Sequence, residues 1–124
     1  MPLILHAHPP ITGHCPCGGA TTYRCTAAPL WQSHCHCESC RRATASPFTP
    51  FFGIADGAWE WTGTNRNFCP TCGTQMAYRS DKFPGECHVY AATLVAPEAY
   101  TPQTQVHTDE QTAWPHRADT LPRR

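Results

Sequence analysis

Nine cysteines occur in this chain of 124 residues, and seven of them fall into three short-spaced groups. The groups are Cys15-Pro16-Cys17-Gly18-Gly19, Cys35-His36-Cys37-Glu38-Ser39-Cys40 and Cys69-Pro70-Thr71-Cys72-Gly73. Close thiolate pairs in tight turns are typical of tetrahedral zinc sites, in which each sulfur lies about 2.3 Å from the metal. A glycine just after the second cysteine allows the backbone to turn back. The spacing therefore predicts metal ligands.

Spacing alone permits two ways of pairing these groups. In the first, Cys37/Cys40 and Cys69/Cys72 form one four-cysteine ribbon, and three clustered cysteines remain unused. The second uses all seven, with four in one site and three in another: Cys15, Cys17, Cys69 and Cys72, and then Cys35, Cys37 and Cys40. Four protein ligands close a structural zinc site, whereas three leave a coordination position for water or substrate.

The composition explains why a small domain would need metal. Leu, Ile, Val and Phe together number 16 of 124 residues, about 13%, whereas domains that fold on an apolar core alone usually exceed roughly 20%. The length suits a single domain. Zinc binding is expected to supply folding free energy that this aliphatic core lacks.

Charge and the chain start bear on partners and location. The formal net charge is zero, and only 15% of residues are charged, which gives no strong attraction to nucleic acid or an anionic membrane. Residues 1–5 lack the basic region and long apolar stretch of a signal peptide or membrane span. We expect a cytoplasmic protein, where reducing conditions favour metal ligation over disulfides.

Short β-prone runs between glycines and prolines predict an all-β domain with few short helical turns. Strands are predicted over residues 20–25, 30–36, 48–54, 59–62, 74–79 and 87–94, and one helical turn over 38–45. Residues 1–10 are expected to form a lead-in to a zinc domain over 11–124. The last thirty residues show neither the helical nor the strand periodicity of apolar residues, and we expect them to form an extended tail packed over the sheet.

The ordered cysteine groups resemble those of the glutathione-dependent formaldehyde-activating enzyme family, also called the centromere-protein-V-like family. The matching segments are residues 13–20, 34–43 and 68–74, within a resemblance that runs from about residue 11 to 122. The resemblance implies a β-tent fold and two zinc ions per chain. It implies a structural zinc on the first set of four cysteines, and a catalytic zinc on Cys35, Cys37 and Cys40.

The resemblance also implies carbon–sulfur lyase activity, namely the reversible addition of glutathione to formaldehyde to give S-hydroxymethylglutathione. Two departures from the family pattern stand out. Only residues 62–65 remain where family members carry a further strand, and its loss is expected to expose a sheet edge or open one wall of the pocket. Ala45 occupies a position where glycine is more usual.

Three thiolates on a zinc dication leave a net charge of −1, which suits one more soft ligand better than activation of water. A substrate thiol held there is a thiolate, the form that attacks an aldehyde carbon. His34 and His36 are the residues nearest in sequence that could donate a proton to the hemithioacetal oxygen. Alternation along an extended segment would, however, turn one of them away from the metal.

The remaining candidates have structural alternatives. Arg41 and Arg42 suit the carboxylates of glutathione, but they also suit the solvated C-terminal end of a short helix. Cys25 and Cys87 lack close-spaced partners and are expected to be buried and inert. The aromatic residues are expected to serve mainly as core or sheet-face side chains; they are Phe51, Phe52, Trp59 and Trp61.

Two other classes of function compete with the lyase. A non-catalytic, zinc-stabilised binding module would have a closed second site, with a fourth protein ligand such as a histidine on the metal held by Cys35, Cys37 and Cys40. A nucleic-acid-binding ribbon is disfavoured by the neutral charge and by the single lysine, Lys82.

Overall fold

The protein folds into two β-sheets and one short helix in a computed structural model that describes residues 9–18, 21–62, 67–114 and 121–123. The elements are β1 (Ile11–His14), β2 (Thr22–Cys25), β3 (Trp31–Cys35), α1 (Glu38–Thr44), β4 (Thr49–Ala55), β5 (Trp59–Trp61), β6 (Ala77–Tyr78), β7 (Glu86–Tyr90) and β8 (Thr104–Val106). Short 3₁₀ turns lie at Asp56–Ala58, Ala91–Thr93, Pro97–Ala99 and Thr108–Glu110. The prediction of a small β-rich domain is confirmed.

The strands form a three-stranded sheet in the order β1-β2-β5 and a five-stranded sheet in the order β6-β7-β4-β3-β8. Neighbouring strands are antiparallel throughout the described residues except for the parallel pair β3 and β8. None of the described helices is both long enough and apolar enough to span a bilayer.

The five-stranded sheet separates the main core from a second, smaller cluster. Along β4, Phe52 and Ile54 belong to the main core, whereas Phe51 belongs to the smaller cluster on the opposite face. The three-stranded sheet completes the main core with Tyr23 and Trp59, whose rings stack at 4.6 Å between centroids. This division follows from the two-residue period of a strand, and it leaves one face of the large sheet available for a site.

The C-terminal segment differs from its prediction. Residues 104–106 form β8, which extends the sheet at its edge by pairing Ser33 with Thr104 and Cys35 with Val106, so the expectation of a tail lying over the sheet is wrong here. All three β8 residues are exposed, and an exposed strand has no apolar alternation by which to recognise it. Residues 115–120 and 124 of the predicted tail lie outside the described residues.

One predicted strand ends earlier than expected, and two further predictions concern segments that lie mostly outside the described residues. The strand predicted over 87–94 ends at Tyr90, and a 3₁₀ turn follows. The lead-in falls mostly on residues 1–8, outside the described residues. Three of the four residues of the shortened family segment 62–65, namely 63–65, also lie outside the described residues; the preceding strand, β5, lies at one edge of its sheet.

Candidate metal centres and the adjoining cavity

Four cysteines from distant parts of the chain meet in one cluster. The Sγ atoms of Cys15, Cys17, Cys69 and Cys72 all lie within 4.8 Å of one another. The Cys15–Cys17 sulfurs are 3.4 Å apart, and the Cys17–Cys69 sulfurs are 3.7 Å apart. A tetrahedral zinc with bonds of about 2.3 Å separates its sulfurs by about 3.8 Å, so the donor set fits a metal ion.

Two tight turns present these four cysteines. Gly18 and Gly73 have φ angles of 103° and 80°, a left-handed conformation that glycine adopts without a steric penalty. In the second turn the Gly73 N–H donates to the Cys69 carbonyl at 2.7 Å. The predicted role of a glycine directly after each second cysteine is therefore confirmed.

Backbone donors favour the thiolate form in this cluster. The Thr21 N–H lies 3.5 Å from the Cys15 Sγ and lowers the pKa of that thiol. A backbone hydrogen bond from Cys72 lowers the pKa of Cys69 to about 6. Thiolate is the form of cysteine that binds metals, so the fold prepares these side chains for a cation.

The remaining clustered cysteines form a separate trio, with the Sγ atoms of Cys35, Cys37 and Cys40 all within 4.8 Å of one another. Cys35 ends β3, and Cys37 caps α1 by accepting a hydrogen bond from the Cys40 N–H at 3.3 Å. The Cys40 thiol donates to the Cys35 sulfur at 3.5 Å, which lowers the pKa of Cys35 to about 5 and raises that of Cys40. This grouping matches the four-plus-three arrangement, not the ribbon.

The trio differs from the cluster of four in its number of donors. Within the part of the chain that the structure describes, no histidine, carboxylate or further cysteine has a ligand atom within 4.8 Å of all three sulfurs. His107 belongs instead to an exposed group with Asp109 and Glu110. The fourth protein ligand that a closed binding module requires is thus not present among the described residues.

A cavity of about 690 Å³ adjoins the trio, on the face of the five-stranded sheet opposite the main core. Its lining includes the three cysteines, five aromatic residues and several ionisable side chains. The aromatic residues are Trp31, Phe51, Tyr78, Phe83 and Tyr90, and the ionisable ones include Lys82, Glu86, His88, His107 and Glu110.

The ionisable residues that line the cavity were not predicted from the sequence to be part of a site. Glu86, His88 and Tyr90 alternate along β7 and line the cavity, while Cys87 and Val89 between them point into the main core. Polar and aromatic residues at every second position of a short strand would have predicted such a face. Cys87 and Cys25 are both fully buried, as expected.

The two histidines expected to supply protons do not line this cavity. The His34 Nδ1 lies 2.9 Å from the Tyr100 hydroxyl, and the His36 Nε2 lies 2.8 Å from the Gln105 Oε1. Both rings also pack near Phe48. Burial lowers the pKa of His34, with a smaller effect from His36. The expectation that either histidine donates a proton at the trio has no support in this geometry.

The arginines of α1 also lie away from the cavity lining. The Arg42 Nε donates to the Glu38 Oε2 at 2.8 Å, one helical turn earlier, and both side chains are exposed. Arg41 is not among the lining residues either. Binding of substrate carboxylates by Arg41 and Arg42 stays a prediction, and the helix-end interpretation agrees better with these positions.

Tyr90 and His107 are two proton-carrying side chains near the trio. Tyr90 packs with Cys35 and Phe51, and burial, with the neighbouring thiols, raises its pKa to about 12. Its hydroxyl is therefore a neutral donor near pH 7. His107 follows β8 and is close enough to Cys35 to add to the lowering of its pKa, after the larger effect of Cys40.

Comparisons with known proteins give one matching family model and a similar solved fold. The family model described as "Glutathione-dependent formaldehyde-activating enzyme" matches residues 10–110. Among solved structures, the crystal structure of a Rhodobacter sphaeroides protein is similar, with a TM-score of 0.59 and 21% identity over 77% of this chain and 99% of that chain. At that identity the likeness shows the fold alone. A search of curated proteins found no significant match.

Proposed function

The chain belongs to the glutathione-dependent formaldehyde-activating enzyme family, and on that premise we propose that it is a zinc-dependent carbon–sulfur lyase. It adds glutathione, or a similar thiol, reversibly to formaldehyde or a related small aldehyde. The observation that carries the proposal is a three-cysteine cluster that opens on a cavity, in addition to a cluster of four.

The proposal assigns two zinc ions to each chain and the β-tent type to the fold. Cys15, Cys17, Cys69 and Cys72 hold the structural zinc, and Cys35, Cys37 and Cys40 hold the catalytic zinc. Sulfur–sulfur separations of 3.4 to 3.7 Å support metal sites, because the S–S bond of a disulfide is only about 2.05 Å long. All-sulfur donor sets select zinc among the common soft divalent ions.

The chemistry divides between the metal and the cavity residues. When bound, zinc supplies a position for a soft ligand and stabilises a substrate thiol as its thiolate. In this proposal the Tyr90 hydroxyl, which packs near the trio, donates a hydrogen bond to the aldehyde oxygen, on which charge develops as the substrate sulfur bonds to the carbonyl carbon. His107, whose side chain is exposed and lines the cavity, exchanges the proton with solvent in this proposal.

X-ray absorption at the zinc edge tests the proposal on the purified chain. Metal analysis is expected to give two zinc ions per chain, and a thiol that joins the trio raises the mean sulfur count from about 3.5 to about 4 per zinc. An adduct assay with glutathione and formaldehyde then measures the reaction itself. An unchanged sulfur count for every thiol tried would replace the lyase by the non-catalytic binding module. A single zinc at full occupancy would instead contradict the two-site assignment and favour the four-cysteine ribbon.

A further inference from the structure

We propose that the end of the cavity remote from the cysteine trio is a subsite for an aromatic ring carried by the thiol–aldehyde adduct. We call it the ring subsite, formed by Trp31, Tyr78, Phe83, Glu86 and His88. The inference rests on the proposed function, because it takes the substrate sulfur to lie at the trio. It concerns the class of substrate, which the family description does not extend beyond glutathione and formaldehyde.

The strand register sets the distance between the trio and the ring subsite. Trp31, Gly53 and His88 lie in one row across β3, β4 and β7, and Tyr78 continues the row on β6. Cys35 lies four residues farther along β3 than Trp31, which is about 13 Å at about 3.3 Å per residue. A ligand held at the trio must therefore extend along the cavity to reach these rings, and formaldehyde is far too short.

Two ring nitrogens of this wall, on Trp31 and His88, contact the same protein acceptor. The Trp31 Nε1–H donates to the Glu86 Oε1 at 3.0 Å, and the His88 Nε2 lies 2.8 Å from the same oxygen. The two contacts are satisfied together when that histidine nitrogen carries the proton, because a carboxylate oxygen accepts hydrogen bonds. Trp31 and His88 then present ring faces and edges, which suit an aromatic ligand.

The lack of a side chain at Gly53 leaves room for the Trp31 indole in the ring subsite. A Cβ atom at residue 53 would lie 2.3 Å from the Trp31 Nε1, so the indole occupies the space that any other residue would fill. The Trp31 and His88 rings meet edge to face, with 4.7 Å between centroids. The glycine and the shared carboxylate thus hold the indole in one position, which lowers the entropic cost of stacking a ligand there.

Two rings of the subsite are exposed in a chain whose core contains few aliphatic residues. Phe83 and Tyr78 are 46% and 45% exposed, and their centroids lie 4.9 and 6.0 Å from that of His88. Exposed aromatic side chains that border a cavity are typical of ligand-binding grooves. A ring that enters between them and Trp31 would cover this surface.

The charged side chains of the cavity offer few cations to a ligand with two carboxylates. Among the described residues that line it, Lys82 is the only lysine or arginine. Glutathione has two carboxylates and one ammonium group; Lys82 can match one carboxylate and Glu86 or Glu110 the ammonium, which leaves the second carboxylate without a lysine or arginine partner there. An adduct with an aryl group has two sources, an aryl thiol with a small aldehyde or an aryl aldehyde with glutathione.

The test is a series of phenylalkane thiols with one to five methylene groups, bound to the zinc-loaded full chain and measured by calorimetry and zinc-edge absorption. We expect an affinity maximum at one chain length, and a preference of about fivefold for phenyl over cyclohexyl at that length. Non-specific partition would instead raise the affinity about fourfold with each methylene, with no maximum. Adduct assays with 3-phenylpropanal and glutathione, and with the best aryl thiol and formaldehyde, distinguish the two sources.

Phe83→Ala is expected to remove the preference for phenyl while ethanethiol still binds. Phe68→Ala is the matched control, because Phe68 is 47% exposed and does not line the cavity. If phenyl and cyclohexyl thiols bind alike and the two variants behave alike, the ring subsite is wrong, while binding of glutathione or ethanethiol to the zinc keeps the proposed function. If no thiol reaches the zinc, the proposed function is wrong, and the ring subsite is wrong with it.

Discussion

The cluster of four cysteines and the trio use the same side chain in two different structural settings. The cluster of four joins two turns that are far apart in the chain, with 52 positions from Cys17 to Cys69. Cys15 and Cys69 are fully buried. The trio comes from six consecutive residues, where β3 ends and α1 begins, and it borders the cavity. A metal in the first setting connects distant parts of the chain, whereas a metal in the second is accessible to a ligand.

The largest effect is expected from breaking the cluster of four. Cys69→Ser removes one ligand of the site that joins the two turns, and zinc in small domains contributes folding free energy on the order of 10 kcal/mol. The few aliphatic residues of the core cannot replace it. We expect insoluble or unfolded protein, measured by yield and circular dichroism; soluble Cys69→Ser with a native spectrum would contradict the assignment.

Cys37→Ser tests the other half of the comparison. The fold is expected to persist, because the cluster of four and the main core do not include Cys37. The zinc content is expected to fall from two ions to one, and thiol binding is expected to fall by about 100-fold or more, since the remaining two cysteines leave the site incomplete. Retention of both metals, or unfolding equal to that of Cys69→Ser, would show that the two clusters are not functionally distinct.

Alkylation of thiols compares both clusters with the two cysteines outside them. Burial raises the pKa of Cys25 to about 12 and that of Cys87 to about 11. At pH 8 the thiolate fraction of each is therefore very small, and we expect modification at least about 100-fold slower than in the unfolded chain.

Peptide mass spectrometry after iodoacetamide treatment measures this difference residue by residue. In Cys37→Ser, Cys35, whose pKa is lowered, is expected to become reactive, while the cluster of four stays protected by its metal. Equal reactivity of all cysteines in the native protein would contradict both the burial and the metal assignments.

The smallest effect concerns the helix that carries the trio. Ala45 ends α1 with a φ of 55° and a ψ of 37°, a left-handed conformation that costs a non-glycine residue roughly 1–2 kcal/mol. After allowance for the greater freedom of glycine in the unfolded chain, Ala45→Gly is expected to stabilise the fold by about 0.5–1 kcal/mol.

Chemical denaturation of the zinc-loaded protein measures that change. Ala43→Gly is the control, because residue 43 lies within α1, where glycine is expected to destabilise by roughly 0.5–1 kcal/mol. Equal shifts of the two variants in the same direction would show that the left-handed conformation at residue 45 is not what limits stability.

The sequence by itself determined the features that depend on nearby residues. The paired cysteines, the glycines at positions 18 and 73, the helical turn after Cys37 and most of the strands follow from local spacing and turn chemistry. The unusual Ala45 was also visible in the sequence, although only its φ angle explains why glycine suits that position. These features are local because ligand pairs and turns are set by backbone dihedrals over a few residues.

The tertiary structure alone decided which distant residues meet. It brought Cys15 and Cys17 to Cys69 and Cys72, turned His34 and His36 away from the cavity, and added β8 beside β3. It also brought Tyr90, His88 and His107 to the lining of one cavity. The physical reason is strand register: a shift by one residue exchanges the two faces of a strand, and register depends on pairing between segments that are far apart in the chain.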